Sequence, residues 1–192
     1  MTSATNPKLG DKDEWWVMPT PVGHMLVVGD TEWLHFVGLP GSFDEAGMDP
    51  DQRGTPDAVD ETVNQIDAYF DQQLRTFSLP LQPSGTEFQR RVWFALADIG
   101  YGETESYGQL AARVGNPKAC RAVGLANGRN PIPIILPCHR VIGSNGSLTG
   151  YGGGLDLKRW LLEHEASAVA SGQESERRAG RALTLAVEQA SG

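Results

Sequence analysis

The chain of 192 residues lacks several features that would place it in a class at once. With two cysteines, Cys120 and Cys138, it does not have the composition of a disulfide-rich secreted scaffold, and two unpaired thiols suit a reducing compartment. It has no run of about 18 apolar residues, so no segment is predicted to span a membrane. The first 14 residues contain no apolar signal core, and we therefore expect a cytoplasmic protein without a membrane partner.

The spacing that metal sites require is also missing. The chain has no C-x-x-C pair, and its four histidines are scattered at His24, His35, His139 and His164. We therefore predict no metal, and nothing in the sequence calls for another cofactor.

The net charge of −8 argues at first sight against a nucleic-acid partner. The charges are unevenly distributed, however. Residues 1–83 carry 4 basic and 14 acidic side chains, whereas residues 84–165 carry 9 basic and 7 acidic ones. The second half is thus mildly basic, and this charge permits contact with phosphate without proving it.

Residues 1–14 are polar and predicted to be disordered, and residues 15–80 to form a small α/β domain. The elements predicted in it are a strand over 24–28, a turn over 29–31, a strand over 32–39, a loop over 40–56 and a helix over 59–74. Residues 75–83, which contain two prolines, are predicted to connect it to a second domain over 84–166. Residues 167–192 form a tail to which we assign no role, with a weak helix predicted near 178–189.

The second domain has sharper signals. Capping boxes at Thr86 with Gln89 and at Ser106 with Gln109 predict the starts of two helices. Asn116 is predicted to cap a further helix over 117–126, which ends at a glycine. The helix that opens at residue 106 and the one over 117–126 form a candidate helix-turn-helix. A last helix is predicted over 155–165.

The segment Pro137-Cys138-His139-Arg140 is the most informative part of the chain. A neighbouring imidazole and guanidinium favour a thiolate, the nucleophilic form of cysteine. If the segment is extended, Cys138 and His139 point to opposite sides, and a water molecule has to relay the proton. Glu165 is the candidate carboxylate for orienting His139. The competing interpretations are a buried apolar cysteine and a solvated glutamate at a helix end, and from spacing alone the latter is favoured for Glu165.

Four segments together resemble the O6-alkylguanine-DNA alkyltransferases: GTEFQRRVW, YGETESYGQLA, GNPKACRAVGLANGRNPIPIILPCHRVIG and LTGYGGGLDLKRWLLEHE. The resemblance covers residues 84–166 in detail and 15–80 loosely, and it does not extend to the tail. It implies an α/β fold with a ribonuclease-H-like N-terminal domain and a helical, helix-turn-helix C-terminal domain. It also implies irreversible transfer of an alkyl group from O6 of guanine in double-stranded DNA, and by extension O4 of thymine, to the protein's own cysteine.

The resemblance also implies residue roles. Cys138 accepts the alkyl group, His139 acts through water, and Glu165 orients His139. The other catalytic residues are Asn130, which fixes the turn before the cysteine, Tyr107, which hydrogen-bonds the leaving guanine, and Lys158 near the sulfur. Substrate binding is assigned to Tyr107, Val141, Gly152 and Tyr151. DNA contacts are assigned to Arg121, which replaces the extruded nucleotide in the stack, and to Asn116, Gln89, Gly108 and Ser144.

This chain departs from better-known members of the family in three places. It lacks the cysteines and histidines that hold zinc in some N-terminal domains, Gly152 stands where some members have serine, and Cys120 stands where alanine is common. We expect a monomer. Three alternatives stay open: a lesion-binding protein without turnover, a helix-turn-helix transcription factor with Cys138 as an alkylation or redox switch, and a thiol hydrolase.

Overall fold

A computed structural model describes residues 6–48, 53–54 and 60–190, with side chains for all of these except Asp60 and residues 173–190. The fold is mixed α/β, with a small sheet first and a mainly helical part after it, as predicted. The elements are β1 (Glu14–Thr20), β2 (Gly23–Gly29), β3 (Leu34–Gly38), α1 (Asp60–Phe70), α2 (Glu87–Leu96), β4 (Glu105–Ser106), α3 (Tyr107–Arg113), α4 (Cys120–Asn127), β5 (Val141–Ile142) and α5 (Gly154–Ala190).

The N-terminal sheet is antiparallel, in the order β1-β2-β3. The predicted turn between β2 and β3 is confirmed: one carboxylate oxygen of Asp30 accepts hydrogen bonds from the backbone N–H groups of Glu32 and Trp33. The prediction missed β1. Pro19 lies within this strand, and its buried residues, Trp15 and Met18, are three apart, so the alternation that marks a strand is absent.

Both predicted capping boxes are present, at Thr86 with Gln89 and at Ser106 with Gln109. The prediction for α4 was wrong at its start. The helix begins at Cys120 without a side-chain cap, because residues 116–119 form a turn in which the carbonyl of Asn116 accepts from the N–H of Ala119. The helix does end at Gly128, and α3 and α4 form the predicted helix-turn-helix.

Other boundaries differ from the predictions. Helix α1 ends at Phe70, before Gln72 adopts a left-handed φ of 61°, and residue 59 lies outside the described residues. Helix α5 is one continuous helix to Ala190 that absorbs the weak helix predicted near 178–189. The predicted loop over 40–56 contains a short 3-10 helix, Glu45–Gly47, and residues 49–52 and 55–56 lie outside the described residues.

Residues 6–13 differ from the disorder predicted for 1–14. Asn6 donates to the carbonyl of Asp44 at 2.9 Å and accepts from its N–H at 2.8 Å, which ties this segment to the N-terminal domain. Residues 1–5 lie outside the described residues. Over the described part of the chain, no helix combines the length and apolar character needed to cross a bilayer.

One buried apolar cluster runs through both predicted domains. It contains Met18 and Ile66 from the N-terminal part and Val92, Leu136 and Leu161 from the C-terminal part. Backbone hydrogen bonds also cross between the two parts, since the N–H of Val37 donates to the carbonyl of Pro131 at 2.8 Å. The first domain is therefore packed against the segment that leads to Cys138.

Candidate active site

The apolar segment before Cys138 forms a tight turn. Prolines at 131, 133 and 137 have no N–H to donate to a strand partner. The side chain of Asn130 closes the turn: its Nδ2 donates to the carbonyl of Leu136 at 2.6 Å, and its Oδ1 accepts from the N–H of Ile132 at 3.0 Å. Ile134 takes a φ of 72°, which is costly for a β-branched residue. The turn delivers Cys138 into a short 3-10 helix, Cys138–Arg140.

The thiol of Cys138 lies in the interior, with 4% of the residue exposed. Burial raises the pKa of Cys138 to about 11, although a hydrogen bond from Asn130 and the charge of Lys158 act in the opposite direction. The resting group is therefore a neutral thiol. This corrects the prediction that the neighbouring imidazole and guanidinium favour a thiolate, because burial dominates and the guanidinium of Arg140 is directed to Glu165 and to the carbonyl of Ile99.

His139 and Glu165 form a fully buried pair, with His139 Nε2 at 2.8 Å from Glu165 Oε1. Burial lowers the pKa of His139, so the ring is neutral at rest. Burial acts to raise the pKa of Glu165, but hydrogen bonds and charge from His139 and Arg140 outweigh it and hold that pKa at about 2. An ionised carboxylate only accepts hydrogen bonds, so Nε2 carries the proton and Nδ1 presents its lone pair. Nδ1 is buried and has no hydrogen-bond partner among the described residues.

The competing interpretation of Glu165 as a solvated helix end was wrong, because Glu165 is completely buried in α5, where it contacts His139 as the candidate carboxylate. Besides His139 it accepts from Arg140 Nε at 2.9 Å, from the N–H of Gly102 at 2.9 Å and from the hydroxyl of Tyr69 at 2.8 Å. Sequence reasoning assigned none of these three donors to Glu165. Arg140 lies within the motif around Cys138, so its position offered a sequence signal. Tyr69 belongs to α1, where the sequence indicated only an apolar residue on one face of the helix.

Lys158 joins strand β5 to the loop that contains Thr149. Its Nζ donates to the carbonyl of Val141 at 2.6 Å and to that of Thr149 at 2.9 Å. The hydroxyl of Tyr107 donates to the same Thr149 carbonyl at 3.2 Å. Burial lowers the pKa of Lys158, while Cys138 acts to raise it. Burial also raises the pKa of Tyr151 well above its usual value, with a further contribution from Cys138, and the Tyr151 hydroxyl has no partner among the described residues.

A cavity of about 480 Å³ opens beside Tyr107 and α4. It is lined by Tyr107, Cys120, Arg121, Gly124, Leu125, Thr149 and Gly150. The structure therefore brings Tyr107 and Arg121 together, with Arg121 exposed in the first turn of α4. Cys138 does not line this cavity in the described structure.

The other predicted contact residues lie outside that lining. Gly108, Asn116 and Ser144 are exposed, as is Gly152 in the turn before α5. Gln89 is half-buried, and its side chain accepts from the N–H of Thr86 in the capping box. Asn130, Tyr107, Lys158 and Tyr151 each interact with Cys138, Glu165 contacts His139, and Val141 is joined to Lys158. Arg121, Asn116, Gly108, Ser144 and Gly152 are exposed.

Comparison with known proteins gives consistent results. Residues 87–167 match the family model for the DNA binding domain of 6-O-methylguanine DNA methyltransferase, and residues 15–83 match the model for its ribonuclease-like domain. The chain is 48% identical over 151 residues to a methylated-DNA–protein-cysteine methyltransferase of Methanosarcina acetivorans, covering 79% of this chain and 97% of that protein. It is 49% identical to the protein of the same name from Mycobacterium leprae, covering 79% and 92%.

Solved structures agree. A crystal structure of Mycobacterium tuberculosis O6-methylguanine methyltransferase superimposes with a TM-score of 0.74 at 46% identity, covering 81% of this chain and 94% of that one. The Mycobacterium tuberculosis protein in complex with DNA gives a TM-score of 0.73 at the same identity and coverage. On this sequence identity and coverage, the chain belongs to the methylated-DNA–protein-cysteine methyltransferase family.

Proposed function

We propose that the protein repairs DNA by transferring a methyl or other alkyl group from O6 of guanine to the sulfur of Cys138, once per molecule. The observation that carries this proposal is the buried Cys138–His139–Glu165 arrangement. A neutral imidazole there has one nitrogen committed to a carboxylate and the other without a protein partner. This arrangement suits a base that takes a proton from a nearby thiol at the moment of reaction.

The proposed step is a displacement at carbon. The proton of Cys138 passes through a bridging water molecule to Nδ1 of His139, and the sulfur attacks the alkyl carbon. The S–C bond forms as the C–O6 bond breaks, and the electron pair of that bond stays with guanine. Guanine then takes up one proton from water and the imidazolium of His139 returns one to water, so a thiol and an alkylated base become a thioether and a normal base. Glu165 stabilises the imidazolium that forms.

Tyr107 and Lys158 are the proposed partners of the leaving base. Both now donate to the Thr149 carbonyl, with Nζ of Lys158 5.9 Å from the centre of the Tyr107 ring, and both interact electrostatically with Cys138. A hydroxyl donor aimed at the base stabilises the negative charge that the departing guanine acquires. We assign recognition of the base to backbone groups of Val141 and Gly152 and to the side chain of Tyr151.

The helix-turn-helix is proposed to bind double-stranded DNA containing the lesion. O6 lies inside the duplex, so the nucleotide has to be extruded, which costs a few kcal/mol. Arg121 is exposed on α4 beside the cavity that the extruded base would enter, and we propose that it fills the gap in the stack. Asn116, Gln89, Gly108 and Ser144 are proposed to contact the surrounding strands, with the protein acting as a monomer.

The test is to incubate the protein with a duplex containing labelled O6-methylguanine and to determine its mass and its modified peptide. We expect one methyl group on the peptide that contains Cys138 and no further turnover. An unmodified protein that still binds the lesion would favour the lesion-binding alternative, and repeated turnover would favour the thiol hydrolase. The presence of the thiol in this buried arrangement argues against the first of these.

A further inference from the structure

We propose that Tyr69, in the N-terminal domain, is a positioning residue for alkyl transfer: its hydroxyl fixes Glu165 and shares with His139 the carboxylate oxygen that would stabilise the imidazolium, and so limits how strongly Glu165 acts on His139. This inference rests on the proposed function and extends it to the first domain. Tyr69 touches neither the thiol nor the space for the base, so it acts only through Glu165.

The geometry is specific. The Tyr69 hydroxyl donates to Oε1 of Glu165 at 2.8 Å, and His139 Nε2 lies 2.8 Å from the same oxygen. Tyr69 is completely buried in α1. Its ring packs against those of Phe70, Phe77 and Tyr101, with centroids at 5.4, 5.6 and 5.9 Å. A ring held by aromatic neighbours on several sides presents its hydroxyl in one direction, so the hydrogen bond orients the carboxylate.

The two oxygens of Glu165 share Arg140 but otherwise have different partners. Oε2 accepts from the N–H of Gly102 and from Arg140 Nε, both at 2.9 Å. Oε1 accepts from His139 and Tyr69, and also from Arg140 Nη2 at 3.0 Å and Nε at 3.2 Å. Besides His139 itself, Tyr69 is thus the neutral donor on this oxygen, and it comes from a domain that has no other side-chain hydrogen bond to this carboxylate among the described residues.

Sharing this oxygen has an electrostatic consequence. A hydroxyl that donates to Oε1 draws negative charge away from the imidazole, so removing it leaves more charge to stabilise an imidazolium. The pKa of His139 should then rise. The other titratable or charged groups facing the pair are Cys138, Arg140, Lys158, Tyr101 and Tyr151, and none of them changes when the Tyr69 hydroxyl alone is removed.

The structure supplies a matched control. Tyr101 belongs to the same aromatic cluster and also lies near Arg140, whose guanidinium carbon is 5.6 Å from the Tyr101 ring centre. Its hydroxyl is buried and has no hydrogen-bond partner among the described residues. Tyr101→Phe therefore removes the same atoms as Tyr69→Phe, from the same cluster, without removing a hydrogen bond to Glu165.

The experiment measures the single-turnover methyl-transfer rate of the full chain against pH for the wild type, Tyr69→Phe and Tyr101→Phe. It also measures the pKa of His139 in each free protein by NMR. For Tyr69→Phe we expect the acid limb of the rate profile and the NMR pKa to move up by about half a pH unit, the size of a modest hydrogen-bond effect on a neighbouring charge. Tyr101→Phe should leave both in place.

A uniform loss of rate at every pH, with the pKa of His139 unchanged, would show a merely structural role and overturn the proposal, as would equal shifts in both variants. The NMR measurement needs no substrate, so a wild type that transfers no methyl group would defeat the proposed function without deciding the role of Tyr69. If Tyr69→Phe does not fold, 3-fluorotyrosine placed at position 69 keeps the hydroxyl as a stronger donor. It should move the pKa of His139 down, and no movement would overturn the proposal.

Discussion

The two sides of Cys138 are built differently. On one side, His139 and Glu165 are completely buried, and the carboxylate accepts hydrogen bonds from several fixed donors. On the other side, Tyr107 borders an open cavity of about 480 Å³, and both Tyr107 and Lys158 donate to the Thr149 carbonyl. In the proposed mechanism, the groups that accept the proton are already in place in the free protein, whereas Tyr107 and Lys158 exchange partners when the base enters.

This difference has a physical reason. A buried carboxylate without donors would be too costly to keep ionised, so Glu165 needs its hydrogen bonds in every state of the protein. Tyr107 and Lys158 can donate to the leaving base only when a base is bound. In the free protein their donor groups need another acceptor, which is the Thr149 carbonyl. Changes on the buried side should therefore affect transfer from any substrate, and changes on the cavity side should depend on DNA.

The largest effect is expected for Glu165→Gln. It removes the charge that stabilises the imidazolium and leaves Arg140 buried without its partner. Transfer should fall by about 100-fold or more, equally for duplex DNA and for a free-base pseudosubstrate. The free energy of unfolding, measured by urea denaturation, should fall by about 3 kcal/mol.

Glu163→Gln is the matched control, because Glu163 is exposed on the same helix. It should change neither the transfer rate nor the free energy of unfolding. A Glu165→Gln protein that loses activity on DNA but keeps it on the free base would contradict the division between the two sides of the sulfur.

The next prediction concerns the free energy of unfolding as the pH falls. Glu165 has a folded pKa of about 2, below its ordinary value of 4.5, so its contribution is complete above pH 4.5 and is lost as the pH falls towards 2. From this shift the loss is about 3 kcal/mol. Folding also lowers the pKa of His139 below its ordinary value of 6.5. As the pH falls, this imidazole is therefore protonated in the unfolded chain before it is protonated in the folded protein. The free energy of unfolding thus also declines below pH 6.5. Urea denaturation from pH 7 to 2 should show both losses, and Glu165→Gln should lack the one below 4.5.

The local features of the C-terminal domain could be predicted from the sequence. The motif around Cys138 and the capping boxes before α2 and α3 are local signals, and local signals specify local structure. For the same reason the prediction failed at the start of α4, where Asn116 offered a capping residue but the chain made another turn first. Propensity at a helix start indicates a boundary without fixing it.

On the buried side, the sequence suggested the contact between His139 and Glu165 but not the other donors to Glu165. The contact between Tyr69 and Glu165 joins residues 96 positions apart, and no periodicity in either helix indicates it. The pKa of Cys138 was misjudged for a related reason: sequence proximity of His139 and Arg140 suggested a thiolate, but burial dominates and Arg140 is directed elsewhere. Both features depend on tertiary packing.

A smaller effect, restricted to DNA, is expected for Arg121→Ala. If Arg121 offsets part of the cost of extruding the nucleotide, its loss should slow transfer from duplex DNA by about tenfold, because one side chain replaces only part of the lost stacking. Transfer from a free-base pseudosubstrate should be unchanged. Lys118→Ala is the control, since Lys118 is also exposed near α4 but does not line the cavity. An equal loss on both substrates would contradict the role given to Arg121.

The smallest effect is expected for Cys120→Ser. Cys120 is exposed and lines the same cavity as Tyr107 and Arg121, so an incoming alkylated base passes near a second thiol. Exposure to the substrate is not sufficient for transfer, because the thiol also needs a general base, and the imidazole–carboxylate pair is formed by His139, the residue next to Cys138, with Glu165. The rate on duplex DNA should change by less than about twofold, and peptide mapping should find methyl only on Cys138 in both proteins. Methyl on Cys120 of the wild type would show that the cavity side supports transfer by itself, and the contrast between the two sides would then fail.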